Sequence, residues 1–323
     1  QFDFLSAQMT QEIRGRVLAF FCFLWVSPDA LLVRLSTSEQ PGRGCALFYK
    51  YSSMAVVATC ALCVYRGPSL VKSCCFSGKY LWLSALGQIC MSSFFTLALQ
   101  KAPAANVLIL ASSTPVSAAL LGLLFGERVP LRTWFAIVFG VLSVAVLMVG
   151  ELSFEESRQA LVGDLFALLS SFGGAAYVVV NRVASKQRED ADLLPALIFG
   201  GLGSAFVGAL LAGGRVGVGA GQVCVTHSGL LGLTWILFDG SVIVPVCLAC
   251  YTTAMRYLSP AEGALFQLVE VVLGPFWVWL VFGEVPSLQT CVGGAGLLTT
   301  LAVHSWMSLR AEKRPAEITK SLL

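Results

Sequence analysis

Three carboxylates stand where a carboxylate is expensive. Asp29, Asp239 and Glu270 each interrupt a long run of apolar residues. An ionisable side chain in such a run is a functional candidate by default. Glu270 is the deepest: it falls about ten residues into the stretch from Pro260 to Pro286, roughly 14 Å along a helix that rises ~1.5 Å per residue. A carboxyl at that depth can take up and release a proton, or it can hold a substrate ammonium. Its bland alternative is a protonated Glu bonded to a neighbouring helix. Gln267 lies three residues earlier, on the same helical face. Asp239 is nearer a predicted membrane surface. Asp29 follows Pro28 and precedes Arg34, so it reads either as a local ion pair or as a coupling group.

Neutral polar residues at helical spacing add candidates. Asn106 and Ser113 lie two turns apart, Gln88 and Ser92 one turn apart, and Tyr177 and Asn181 one turn apart. Each alone is more often glue between helices than a ligand contact. Trp235, Trp277 and Trp279 serve either as interfacial anchors or as cavity walls. Cys60 and Cys63, and Cys247 and Cys250, have CxxC spacing inside apolar runs without nearby His, which favours small packing residues over metal or redox chemistry. No metal site or cofactor is expected. An enzyme has little support, because the two histidines, His227 and His304, join no Cys or acidic cluster. No P-loop is present, which disfavours ATP-driven transport.

The elements that must position these groups are membrane helices. The 323 residues are 57% apolar and 12% charged, against about 45–50% and about 25% in soluble domains. The expected fold is therefore an all-α polytopic membrane protein. The net charge of +3 is too small and dispersed to suggest nucleic acid. Ten spans are expected, at about 16–35, 46–65, 80–100, 104–126, 132–150, 162–182, 193–213, 230–256, 261–283 and 288–308. Residues 1–14 are read as a polar lead, 66–79 and 186–192 as charged loops, 214–228 as a Gly-rich loop, and 309–323 as a cytosolic polar tail. Because the chain starts at Gln1 rather than Met, its N-terminus is expected to be incomplete. With the N-terminus in the cytosol, fifteen Lys and Arg fall on inner segments and six on outer ones, so both termini are expected to be cytosolic.

The chain also reads as a duplication. Pro103-Ala104 matches Pro260-Ala261, and Phe125-Gly126-Glu127 matches Phe282-Gly283-Glu284, at one offset of 157. Pro115 and Pro275 sit inside the two copies, where a missing backbone donor is expected to loosen each helix. Gly15 and Arg34 bracket the first span as Gly163 and Arg182 bracket the sixth, at an offset of 148. Two repeats are expected, at 15–150 and 160–308. An odd number of spans per repeat inverts the second copy, a transporter device that lets one central site face either side in turn.

These residues resemble the drug/metabolite transporter superfamily, EamA type. The resemblance rests on Gly126-Glu127, Gly283-Glu284, Thr114-Pro115 and the segment from Gly163-Asp164-Leu165 to Arg182. Trp25 and Phe48 through Lys50 also fit, although the family often has Arg near the position of Lys50. The resemblance implies ten spans as two inverted five-helix repeats, with spans 3, 4, 8 and 9 lining a central cavity. It adds Trp25 to the cavity candidates, while the repeated positions of Gly126, Glu127, Pro115, Gly283, Glu284 and Pro275 give these residues a structural or gating role. It says nothing of the substrate.

The reading is a transporter of small metabolites by alternating access, proton-coupled or facilitative. Glu270 and Asp29 are its coupling candidates. Glu270, Gln267, Asp239, Asn106, Ser113, Gln88, Tyr177 and Trp25 are its cavity candidates. No Lys or Arg is placed mid-span, which argues against phosphate-rich substrates and for neutral, zwitterionic or cationic ones, amino acids first. Lys50, Lys101 and Arg256 remain able to reach inward from span ends. The alternatives are a non-transporting membrane scaffold or regulator with the same fold, or a nucleotide-sugar-type exchanger. The expected partners are a small-molecule substrate and the lipid bilayer, with a homodimer left open and either the plasma membrane or an organelle membrane fitting.

Overall fold

The computed structural model describes residues 2–37, 43–67, 69–102, 104–148, 158–187, 192–213, 230–283 and 288–321. All regular structure among them is helical. Helices α1 (Phe2–Val26) and α2 (Asp29–Thr37) are separated at Ser27-Pro28. Then follow α3 (Arg43–Arg66), α4 (Ser69–Lys101), α5 (Ala104–Ala111), α6 (Thr114–Leu124), α7 (Leu131–Met148), α8 (Arg158–Gln187) and α9 (Ala196–Leu211). Next come α10 (Leu230–Phe238), a π-helical turn (Asp239–Ile243) and α11 (Val244–Ala254). The chain continues in α12 (Pro260–Phe266), α13 (Leu268–Phe282) and α14 (Leu288–Ser321).

Seven stretches are long and apolar enough to cross a membrane: Ile13–Val33, Gly44–Arg66, Gly78–Ala98, Val107–Leu124, Leu161–Gln187, Leu231–Ala254 and Pro260–Phe282. They coincide with seven of the ten expected spans. Leu131–Val146 and Ala196–Leu211 are shorter apolar helices at the fifth and seventh positions. The tenth expected span lies in α14.

Several boundaries differ from the sequence reading. The supposed lead is helical from Phe2, and the supposed tail continues α14 to Ser321. The supposed loop at 66–79 is largely the start of α4, interrupted only at Gly78, whose φ of 47° and ψ of −127° no helix accommodates. Most of the charged loop after Lys186, the Gly-rich stretch, the polar segment at 151–157 and Glu284 lie outside the described residues.

The two motif-bearing spans are each broken into two helices, but not at their prolines. Helix α13 runs through Pro275 without interruption, and the break lies at Gln267. There the Gln267 N–H reaches Ala264 O at 3.2 Å, and the Glu270 N–H reaches Gln267 O at 3.2 Å. These bonds span three residues rather than four and tighten the turn, as 3₁₀ geometry does. In the earlier of the two spans the Ser113 N–H reaches Leu110 O at 3.1 Å, and Pro115 opens α6, where its missing N–H costs nothing. The Ser113 and Glu270 bonds are 157 residues apart, the offset at which the two motifs match. Gly126 and Gly283 end their helices with φ of 80° and 69°, the left-handed closure that glycine makes without strain. The Gly283 N–H completes it on Trp279 O at 2.8 Å.

Helix packing follows a regular pattern. The most extensive pairs are α4 with α8, α3 with α9, α7 with α14, α4 with α9, α1 with α11, α6 with α8, and α6 with α12. Glycine permits the closest of them. A Cβ on Gly87 of α4 would come 2.8 Å from the Tyr177 backbone N, and one on Gly173 of α8 would come 2.6 Å from the Met91 backbone N. Gly87→Val is therefore expected to lower the thermal midpoint of the detergent-purified protein, by an amount consistent with overpacking costs of about 1–3 kcal/mol. An unchanged midpoint would show that the two backbones do not approach in this way.

Candidate functional site

A cavity of ≈ 200 Å³ opens where α1, α3, α8, α11 and the break between α12 and α13 converge. Its polar lining includes Asp29, Lys50, Tyr177, Tyr251, Gln267 and Glu270. Phe23, Val26, Val244 and Leu248 supply apolar wall. Glu270 enters at the first turn of α13, directly after the tightened turn at Gln267. The break thus carries both side chains of the sequence-derived pair to the cavity. Among the described residues, the Glu270 carboxyl has no hydrogen-bond or ion-pair partner.

Opposite charges meet at Lys50, on the second turn of α3. Its ammonium pairs with Asp29 of α2 and lies 2.8 Å from Asp239 Oδ2. The two carboxylates are not equivalent. Asp239 is fully buried and stands outside the cavity lining, whereas Asp29 lines the cavity with 22% of its side chain exposed. Asp239 reaches Lys50 because the chain takes a π-helical turn there, an irregularity found often at functional sites. That turn rests on the α3 backbone: a Cβ at Gly240 would overlap the Lys50 carbonyl oxygen, so only glycine fits.

Aromatic groups close one side. Phe23 meets Tyr251 edge-on with centroids 4.9 Å apart, and Tyr177 lies 6.3 Å from Tyr251. Tyr177 O–H donates to Thr252 Oγ1 at 2.6 Å, since that hydroxyl in turn donates to Leu248 O at 2.7 Å. The Tyr251 hydroxyl is buried without a hydrogen-bond partner among the described residues.

Thus the cavity gathers Glu270, Gln267, Tyr177 and Asp29 of the sequence candidates, and Asp239 stands behind Lys50. Others lie elsewhere. Gln88 is fully buried between helices and points its amide at Met54 Sδ, 3.8 Å away, while its turn-mate Ser92 reaches the cavity. Ser113 Oγ donates to Leu110 O at 2.6 Å and meets Ser171 Oγ at 3.0 Å, as helix glue. Trp25 is on the outer surface, stacked on Phe21 at 6.0 Å. Asn106 belongs to α5, with its side chain outside the described residues. Trp277 does not line this cavity; its indole N–H donates to Ser27 Oγ at 2.8 Å, tying α13 to the α1–α2 bend. Asp29 pairs with Lys50, and the side chain of Arg34, the partner the sequence suggested, lies outside the described residues. Glu127 is buried at the end of α6, 2.8 Å from Lys186 Nζ and 3.6 Å from Arg182 Nε of α8. Sequence reasoning did not nominate Lys50 or Tyr251 for the site. Lys50 was legible as an ammonium a turn inside an apolar run.

Comparison with known proteins agrees with this architecture. Residues 44–149 match the model of the EamA-like transporter family. An uncharacterized transporter from Archaeoglobus fulgidus is 24% identical over 228 residues, covering 69% of this chain and 74% of that protein. A protein of known crystal structure superposes with a TM-score of 0.68 at 19% identity, covering 91% of this chain and 98% of its own, a likeness of fold.

Proposed function

We propose that this chain, an EamA-type member of the drug/metabolite transporter superfamily by its family match and its transporter relative, carries a small amine-bearing metabolite through alternating access. It is an integral multi-pass membrane protein and a membrane transporter; the substrate and the mechanism are our reading. The observation that carries it is the Glu270 carboxyl, facing a buried cavity at the break of a membrane helix with no partner among the described residues. A carboxylate in a membrane cavity with no direct ion-pair partner is costly. A substrate ammonium relieves that cost, and so does a proton, which makes Glu270 and Asp29 coupling groups as well. Tyr177, Tyr251 and Phe23 offer ring faces and edges to the substrate body.

The packing pattern supports alternating access. If the second five spans are laid on the first, the pair α1–α11 becomes α8–α4, while α3–α9, α6–α12 and α7–α14 become themselves. Contacts that map onto themselves in this way support a pseudo-twofold between the halves, the relation by which inverted repeats let one site face either side in turn. This is the expected signature of two inverted repeats, and with the charge bias it favours both termini in the cytosol.

The test is a thermal-stability panel of amino acids, amines, nucleosides and sugar nucleotides on the purified protein, followed by counterflow in proteoliposomes with whichever class binds. A native-state ligand at ~100 times its dissociation constant adds about 2.7 kcal/mol. Stabilisation and counterflow by amines or amino acids are expected. Stabilisation by sugar nucleotides instead would establish the exchanger alternative. Binding and flux by no class would leave the scaffold reading standing.

A further inference from the structure

The cavity holds a cation with two carboxylates, and the two are held in different ways. Asp239 is fully buried, absent from the cavity surface, and fixed by a π-helical turn wedged on the α3 backbone at Gly240. Asp29 opens a nine-residue helix, directly after the Ser27-Pro28 bend, with its carboxyl on the cavity surface. Lys50 itself lines the cavity with 11% of its side chain exposed. Its ammonium donates its hydrogen bond to Asp29 and is ion-paired with Asp239, so its compact charge can keep Asp239 while the hydrogen bond changes acceptor.

We propose that Lys50 is a carboxylate-binding subsite of this cavity, occupied by Asp29 in the resting state and by the substrate's carboxylate when Asp29 is displaced. Asp239 is the permanent counter-ion that keeps Lys50 in place throughout. This rests on the transport reading for its role and refines its substrate class to amine-bearing monocarboxylates. Glu270 takes the ammonium end and Lys50 the carboxylate end.

The charge inventory favours a monoanion. Among the described residues that line the cavity, Lys50 is the one cation, set against Asp29 and Glu270, with Asp239 behind it. A phosphate carrying close to two negative charges would meet that carboxylate field with a single point charge to hold it and no bidentate guanidinium. A carboxylate replaces Asp29 charge for charge and leaves the electrostatic balance as it was. The unpartnered Tyr251 hydroxyl supplies a donor to a ligand in the same cavity.

The experiment uses the full chain in detergent with three probes: isobutyrate, its neutral isostere isobutyramide, and inorganic phosphate. Each is titrated against the thermal midpoint of the wild type, of Asp29→Asn, and of the double variant Lys50→Gln/Asp239→Asn. The double variant neutralises Lys50 and the fully buried Asp239 together, and Asp29, which it leaves unpaired, borders the cavity where water reaches it. Asp29→Asn frees Lys50 from its resting occupant and is expected to tighten isobutyrate binding at least tenfold over the wild type. Isobutyramide is expected to be inert in all three proteins, and the double variant to lose the isobutyrate response. The proposal is overturned if Asp29→Asn gains no preference for isobutyrate over isobutyramide. It is equally overturned if the double variant keeps that preference, or if phosphate binds as tightly as isobutyrate. Counterflow in proteoliposomes separates the two readings. Tight isobutyrate binding without counterflow of any amino acid would sink the transport reading and leave the subsite; counterflow with no Lys50-dependent carboxylate preference would do the reverse.

Discussion

Glu270→Gln is expected to reduce amine-substrate uptake into proteoliposomes by roughly 10- to 100-fold, with the protein still folded. The size follows from the interaction removed. A hydrogen bond to a charged group contributes about 1.5–3 kcal/mol, and about 1.4 kcal/mol is a factor of ten. Glutamine keeps the shape and the oxygen of glutamate, so it removes the charge with little disturbance to packing. The fold does not depend on the carboxyl: it has no hydrogen-bond or ion-pair partner among the described residues, and the position 157 residues earlier holds Ser113. Uptake and thermal midpoint should therefore separate, with uptake falling and the midpoint unchanged or higher, because an uncompensated carboxylate has been removed from a buried wall. A proton-coupling role adds a second signature. The residual uptake of the variant should no longer respond to an imposed proton gradient. If Glu270→Gln transports at the wild-type rate, Glu270 is neither receptor nor coupling group.

How far this site was legible depends on what an apolar run hides. The break that presents Glu270 and Gln267 was visible as two polar residues three apart in an otherwise apolar segment, and both do line the cavity. Its cause was misplaced. Pro275 drew attention because a missing donor is easy to see, yet the helix runs through Pro275 and breaks at Gln267, where the i−3 bonds form. Gly126 and Gly283 were legible for a firmer reason, since a glycine after an apolar helix has one common use. Lys50 was discounted as a span-end cation. Helix α3 begins at Arg43, which sets Lys50 two turns inside, against a π-helical turn that no periodicity announces. Trp25 and Gln88 went the other way. In helices apolar on nearly every face, spacing identifies which residues share a face but not whether that face meets lipid, a neighbouring helix or the cavity. Only the packing decides that, and it sends Trp25 outward and Gln88 into a helix contact.

The largest stability effect is expected at Lys50. Lys50→Ala leaves Asp239 buried without its cation, 2.8 Å from where the ammonium stood and with no exposed surface to recruit water. Removing one partner of a buried pair costs about 3–5 kcal/mol, because the remaining charge keeps its desolvation penalty and loses its compensation. Asp29 suffers less, since its carboxyl already borders the cavity and can be hydrated there. This asymmetry makes the prediction specific. Adding Asp239→Asn to Lys50→Ala should recover most of the lost thermal midpoint, while adding Asp29→Asn should recover little. Gly240→Ala should lower the midpoint even with Lys50 intact, because its methyl group meets the Lys50 carbonyl and forces the π-helical turn off α3. Equal rescue by the two Asp substitutions would mean that both carboxylates are solvated alike. Lys50 would then be an ordinary cavity-wall cation rather than one anchored from behind by Asp239.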